Sequence, residues 1–586
     1  MLTQTMPNDL STARLHNLLI NLYGCETGDA VYSRLQEKIH QFKQYYLYDD
    51  CLTGELTERD AILITYADQV TEAGKLPLQT LAEFCQNYLR GIIRGIHLLP
   101  FFPSSSDDGF SVIDYRRVDE ALGSWQDIAS LAEDYHLMFD AVINHVSAQS
   151  PWFIGYLQGR KEYRDFFIEI EGEADLSGVV RPRALPLLTE FDTPNGKKRI
   201  WTTFSADQVD LNYHNPEVLI NILDMLLFYV SKGARYIRLD AIAYVWKEIG
   251  TSCIHLPQTH WIVQIMRALL DETAPYVKLI TETNVSHMEN ISYFGDGQNE
   301  AHLVYNFALP PLVLHTLLTG DATKISQWAD QLTLPSKDVN FFNFLASHDG
   351  IGLNPVQGIL NQADIDALVE NTLASGNEVS YKHNPDGSQS PYELNLNYFD
   401  ALNSGKPTTP HTLQVEKFVT AHAMMLALKG LPGIYFHSLF GSRGWLEGVK
   451  QTGIKRAVNR QKLDKNSLVQ ELSDHSSLRY QVYSRLALLL KTRRSYMEFS
   501  PSSEQKILFL NPAVFSIVRY LEEGRRRILC LHNISNQYQE AVVDLPPYNK
   551  KPFASVKEVI NRQILVLNKR AAVSLKPYQT KWLLLD

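Results

Sequence analysis

Residues 235–244 read RYIRLDAIAY, a run of strand length that is apolar except for Arg235, Arg238 and Asp240. Seven further apolar runs of similar length punctuate the chain: AILITYAD (61–68), GIHLLPFF (95–102), LMFDAVINH (137–145), KLITETN (278–284), HLVYNFAL (302–309), NFFNFLASHD (340–349) and LPGIYFHSL (431–439). Strands covered on both faces give near-continuous apolar runs instead of an alternation. Amphipathic helices fit between most of them, for example at 216–232 and 259–273. Eight strands alternating with helices predict an α/β fold, a (β/α)8 TIM barrel.

The remaining sequence frames this barrel. Residues 1–58 predict a helical extension, with Leu10, Leu18, Leu19, Ile20 and Leu22 on its packing face. The barrel is assigned to 59–145 and 235–500. The gap 146–234 is longer than one helix and predicts an inserted domain B after the third strand. A second insertion, 353–415, follows the seventh strand and contains KHNPDGSQSPYELN. From about 501 the pattern changes to short runs such as AVFSIVRYL and RRILCLHNI, predicting a C-terminal antiparallel β domain.

Composition narrows the function. The formal charge of −10 argues against a nucleic-acid partner. The five cysteines are scattered with no CxxC pair, so neither a disulfide framework nor a zinc site is expected. No apolar run approaches the ~20 residues of a membrane span, and the first residues carry no basic stretch followed by an apolar core. A cytoplasmic protein with reduced thiols is the expectation; monomer and homodimer both stay open.

Polar residues gather at the carboxyl ends of the predicted strands, where a barrel's loops converge. They are Asn144 and His145 on the third, Arg238 and Asp240 on the fourth, Glu282 on the fifth, and His348 with Asp349 on the seventh. Arg238 and Asp240, two positions apart on a strand, point the same way. The motifs DAVINH (140–145), QVDLN (208–212), RLDAIAY (238–244), ITET (280–283) and ASHDGIG (346–352) occur in this order. Together they resemble the α-amylase superfamily. The resemblance implies Asp240 as nucleophile, Glu282 as acid/base and Asp349 as a sugar-binding carboxylate that favours the distorted transition state. Arg238 is then expected to keep Asp240 ionised, and carboxylate neighbours to raise Glu282. His145 and His348 are expected to donate hydrogen bonds to the sugar. Asn144 matches a calcium ligand of many amylases, but nothing completes an oxygen cage, so no metal and no cofactor are expected.

Longer stretches, among them HLLPFFPSSSDDGFSVIDYRRVDEALGSW (97–125), RPRALP (181–186), KEIGTSCIHLPQTH (247–260), YNFALPPLVLH (305–315) and AVNR (457–460), are similar to the sucrose phosphorylase group over almost the whole barrel. That similarity implies a retaining phosphorylase acting on an α-glucoside and inorganic phosphate. It assigns Asp107, Phe110, His145, Tyr244 and Arg460 to the glucose pocket, and Arg183 and Tyr392 to phosphate. The acceptor stretch departs from the sucrose enzymes: Gln389-Ser390-Pro391-Tyr392-Glu393 has Ser390 in place of a fructose-binding aspartate and Glu393 in place of a glutamine. SPYELN and RPRALPLLT resemble the glucosylglycerol and glucosylglycerate phosphorylases instead. Arg181 is available for a glycerate carboxylate, whereas an ionised Glu393 would repel one. On that ground 2-O-α-glucosylglycerol is the expected substrate, with glucosylglycerate, sucrose or its 6'-phosphate as alternatives. A hydrolase or transglucosidase, and a non-catalytic scaffold on the same barrel, are the competing classes.

Overall fold

The computed structural model describes residues 7–46, 53–182, 185–383, 388–404, 410–524, 526–544, 553–568 and 570–585. Its centre is a closed barrel of eight parallel strands: β1 Ile62–Thr65, β2 Gly95–Leu98, β3 His136–Val142, β4 Ala234–Asp240, β5 Lys278–Thr281, β6 Leu303–Tyr305, β7 Asn340–Asn343 and β8 Leu431–Tyr435. All eight predicted runs supply a strand. β1 closes the ring by pairing with both β2 and β8, Ile62 standing opposite Gly95 and Gly433. Arg238 on β4 lies level with Asp140 on β3 and Ile280 on β5. That register stacks the charged residues of β3 and β4 inside the ring.

The strands are shorter than the runs. β3 ends at Val142, β5 at Thr281 and β7 at Asn343, so Glu282 and Asp349 lie on the loops that follow, and His145 opens a short separate strand, His145–Ser147. Asp240 is the last residue of β4. The next residue, Ala241, adopts φ 51°, ψ 29°, a left-handed conformation that costs a non-glycine residue roughly 1–2 kcal/mol. The turn it makes leaves its N–H donating to Glu282 Oε2 at 3.2 Å.

The range 146–234 contains two antiparallel strand pairs, 145–147 with 208–210 and 188–193 with 196–201. It also contains the helix Pro216–Ser231, which is apolar over most of its surface and packs on β4 as a barrel helix. The predicted insertion thus includes an element of the barrel. In the range 353–415 the chain forms the helix Gln362–Ala374 and a strand pair, Glu378–His383 with Gln389–Asn395. Two further units flank the ring. From Glu504 onward, six antiparallel strands and a separate pair form the C-terminal domain. At the other end Pro7–Tyr23 and Cys25–Tyr45 form a helical hairpin against Pro257–Thr273 and Pro216–Ser231.

The hairpin closes on Leu18, Leu19 and Leu22 of its first helix and on Gly28 of its second. Leu10 has no described side chain, and Ile20 is half-buried. A Cβ on Gly28 would lie 2.8 Å from the Ile20 backbone, too close for any side chain. Gly28→Val is therefore expected to destabilise this unit by about 1–3 kcal/mol through overpacking. A thermal unfolding midpoint that stays at the wild-type value would show that the helices do not pack this closely.

Candidate active site

A cavity of about 450 Å³ opens at the carboxyl ends of the strands. It brings together Asp107, Phe110, His145, Asp240, Tyr244, Glu282, His348, Asp349, Tyr392 and Glu393, which the sequence had singled out from segments hundreds of residues apart. Phe110 stacks on His348 with centroids 4.9 Å apart, and Phe204 meets Tyr244 edge-on at 5.5 Å. These rings give the cavity apolar walls around its carboxylates.

Arg238 lies behind the carboxylates, outside the cavity. It donates to Asp140 and to Asp240 Oδ1 (2.8 Å) and stands 3.9 Å from Glu282 Oε2. Burial alone would raise Asp140, but Arg238 and then His97 bring it down to about 2. Burial raises both Asp240 and Glu282; neighbouring carboxylates add to this and Arg238 opposes it. The two carboxyls therefore compete for one proton. Burial pushes the Asp240 carboxyl up to about 8, and the direct contact with Arg238, which Glu282 meets only distantly, is what opposes this and favours the charge on Asp240.

Asp349 is held differently. Burial would raise it, but Arg456 dominates and, with His348 and Arg460, holds it well below the usual carboxylate range. Arg456 Nη1 lies 2.6 Å from Asp349 Oδ1. The same guanidinium forms a two-pronged pair with Glu393, Nε to Oε1 at 3.0 Å and Nη2 to Oε2 at 2.6 Å. Glu393, only 2 % exposed, also accepts from the Gly350 N–H at 3.3 Å. The expectation of an uncompensated Glu393 is corrected here: its carboxylate is paired with Arg456, which it shares with Asp349.

Other expected contacts also fall elsewhere. Arg460 lies beneath the cavity floor, bonded to Asp108, to the His348 carbonyl (2.9 Å) and to Asp349 (3.3 Å). His145 Nε2 is 2.9 Å from the Phe110 carbonyl. Its hydrogen-bonding capacity is thus partly taken up by the chain. Burial leaves His348 at about 3, a neutral ring. Among the described residues Arg181 is exposed, reaches the Leu185 carbonyl at 3.5 Å, and is not part of the cavity wall. Arg183 lies outside the described residues. Ser390 is half-buried in the strand pair opposite Lys382 and is likewise not on the cavity wall. Tyr392 is on that wall because the register shifts there: Ser380 pairs with Glu393 and Tyr381 with Pro391, leaving Tyr392 as the extra residue of a bulge. Bulges of this kind re-aim one side chain, and Pro391 is tolerated beside one.

Sequence reasoning missed Gln208, Asn284, Lys455 and Arg456 on the cavity wall. Arg456 was within reach: it stands four residues before Arg460 in KRAVNR. Where amylases place calcium near Asn144, Lys247 stands instead. Its ammonium donates to Asn144 Oδ1 at 2.7 Å and pairs with Asp210 at 2.7 Å. Among the described residues no group of three His, Cys, Asp or Glu side chains could hold a metal ion, and no helix is long and apolar enough to cross a membrane.

Comparison with known proteins agrees with this architecture. Residues 86–351 match the α-amylase catalytic domain. A glucosylglycerate phosphorylase of Spirochaeta thermophila is 47% identical over 579 residues, covering 97% of this chain and 98% of that protein. A glucosylglycerol phosphorylase of Marinobacter adhaerens is 29% identical, covering 75% and 87%. The crystal structure of a sucrose 6F-phosphate phosphorylase from Thermoanaerobacter thermosaccharolyticum superposes with a TM-score of 0.72 at 24% identity, over 88% of this chain and 99% of that one. With its eight-stranded ring, its carboxylates at one mouth and these relatives, the chain belongs to the glycoside phosphorylases of the α-amylase superfamily.

Proposed function

We propose that the protein catalyses the reversible phosphorolysis of 2-O-α-glucosylglycerate to α-glucose 1-phosphate and glycerate. The observation that carries this choice over glucosylglycerol is the Glu393–Arg456 pair. The reason for favouring a neutral acceptor was an uncompensated carboxylate at Glu393, and Arg456 compensates it. Lys455 stands on the same wall, its ammonium 3.3 Å from Glu378 near the rim, and adds a second cation to the acceptor side. The high identity to a protein named for glucosylglycerate supports the same reading.

The chemistry follows from the charges. Asp240, ionised beside Arg238, attacks the anomeric carbon as Glu282 gives its proton to the departing glycerate oxygen. Glucose is then held as an ester of Asp240. Inorganic phosphate enters the vacated acceptor space, loses a proton to Glu282 and attacks the same carbon. The ester breaks, α-glucose 1-phosphate forms with the original stereochemistry, and both carboxyls return to their starting states. Asp349, fixed by Arg456 and Arg460, binds sugar hydroxyls throughout.

The reverse reaction tests the acceptor. With α-glucose 1-phosphate as donor, kcat/KM for phosphate release with glycerate is expected to exceed that with glycerol by about two orders of magnitude, because a site built for a charged group discriminates strongly against its absence. Equal or faster reaction with glycerol would return the assignment to glucosylglycerol. Release of free glucose independent of phosphate would make the enzyme a hydrolase.

A further inference from the structure

A second cavity, of about 1030 Å³, lies at the opposite mouth of the barrel, where β5, β6 and β7 begin. Lys278 is the first residue of β5, His302 immediately precedes β6, and Asn340 is the first residue of β7. The backbone ladder binds these starts together: the His302 N–H donates to the Leu279 carbonyl at 3.0 Å, and the Asn340 N–H to the His302 carbonyl at 2.9 Å. Three polar side chains from adjacent strands thus reach one space that the sugar chemistry does not use.

Each has an unpaired polar atom among the described residues. Lys278 is mostly buried and makes no ion pair or hydrogen bond through its ammonium among the described residues. Burial, then Arg267, lowers it to about 8. His302 is 4 % exposed. Its Nδ1 accepts from the Leu279 N–H at 3.1 Å. The proton therefore sits on Nε2, which has no partner among the described residues. Burial holds the ring well below its usual pKa and so in this neutral form. Asn340 is 4 % exposed and its Oδ1 is without a partner among the described residues. Arg14 of the N-terminal helix borders the same space, while Asp271 and Asp338 supply acceptors at its edge.

Buried polar groups that serve only the fold are normally paired with one another. Here an ammonium and an imidazole N–H border a space large enough for a sugar-sized ligand. We propose that this cavity binds a small hydroxylated oxyanion of the sugar-phosphate or sugar-acid class. Lys278 and His302 would take the anionic head, and Asn340 Oδ1, Asp271 and Asp338 would accept from the hydroxyls. The site is separate from the carboxylate cluster, so it stands or falls independently of the substrate proposed above.

Titration calorimetry on the full chain tests it, with glucose 6-phosphate and gluconate as the two probes. Saturable binding of one probe at millimolar concentration or below is expected, and the tighter probe identifies the head group. Lys278→Met and His302→Leu should each weaken it by at least about tenfold, the scale of one charge-assisted hydrogen bond. Lys278→Arg should retain it, and phosphorolysis kcat should be unchanged in Lys278→Met. Thermal unfolding of each variant checks that it folds, and Lys278→Arg keeps the test valid if Lys278→Met does not. Arg460→Ala, which alters the other mouth, should bind the probe as wild type does. No binding of either probe to the wild-type chain, or binding lost in Arg460→Ala and kept in Lys278→Met, would overturn the proposal.

Discussion

Asp240→Asn is expected to lower phosphorolysis by about 10⁵-fold or more, the scale on which loss of a covalent nucleophile acts. Asparagine keeps the shape of aspartate and can still accept from Arg238, so the fold and the sugar pocket should survive. It cannot form the glucosyl ester. Arg238 keeps Asp140 as counter-ion in the variant, which limits the cost of leaving it without Asp240. Intact-mass measurement separates the step itself. Glu282→Gln, with an activated glucosyl donor that needs no proton, should accumulate one glucosyl group on the chain; Asp240→Asn should accumulate none. Normal turnover by Asp240→Asn would exclude the mechanism.

Arg456→Ala is expected to cost about 10³-fold in kcat/KM. One guanidinium serves both sides of the cavity: it fixes Asp349, the proposed glucose-binding carboxylate, and Glu393, on the strand proposed to face the acceptor. Removing it leaves two buried carboxylates without their main counter-ion, a loss of about 3–5 kcal/mol in comparable buried pairs. Part of this penalty comes from Glu393 alone. Arg456→Ala combined with Glu393→Ala should therefore be less impaired than the single change predicts, a positive coupling readable in a double-mutant cycle. Additive losses would mean that the two residues act separately. A KM for glycerate that rises more than the KM for the glucosyl donor would place the larger share of the effect on the acceptor side.

The eight strands were legible because burial on both faces leaves a continuous apolar signature that no loop imitates. The carboxylates were legible for a related reason: Asp240 interrupts such a run, and a charge inside a buried strand needs a purpose. Arg456 was not legible in this way. It lies on a short 3₁₀ segment, Lys455–Asn459, where an arginine next to a lysine reads as solvated surface. Its role depends on Asp349 and Glu393, whose approach is set by folding of the 353–415 segment. Arg181 differs in the opposite direction. Its sequence neighbours suggested the acceptor side, whereas its side chain is exposed and off the cavity wall; a loop without periodicity does not say which way a side chain turns. The helix Pro216–Ser231 was recognised as a helix yet assigned to the insertion, since periodicity marks an element and not the layer to which it belongs.

Lys247 has a consequence of another kind. Its ammonium joins Asn144, on the loop after β3, to Asp210 of the inserted segment, and so ties the wall bearing His145 to the barrel. A cation encoded in the polypeptide arrives in one-to-one stoichiometry with the fold. It has no dissociation constant, no empty state and no dependence on ionic supply, so a chelator has nothing at that junction to withdraw. The cost is permanence: a bound ion could be exchanged to tune this wall, whereas here tuning requires a change in the gene.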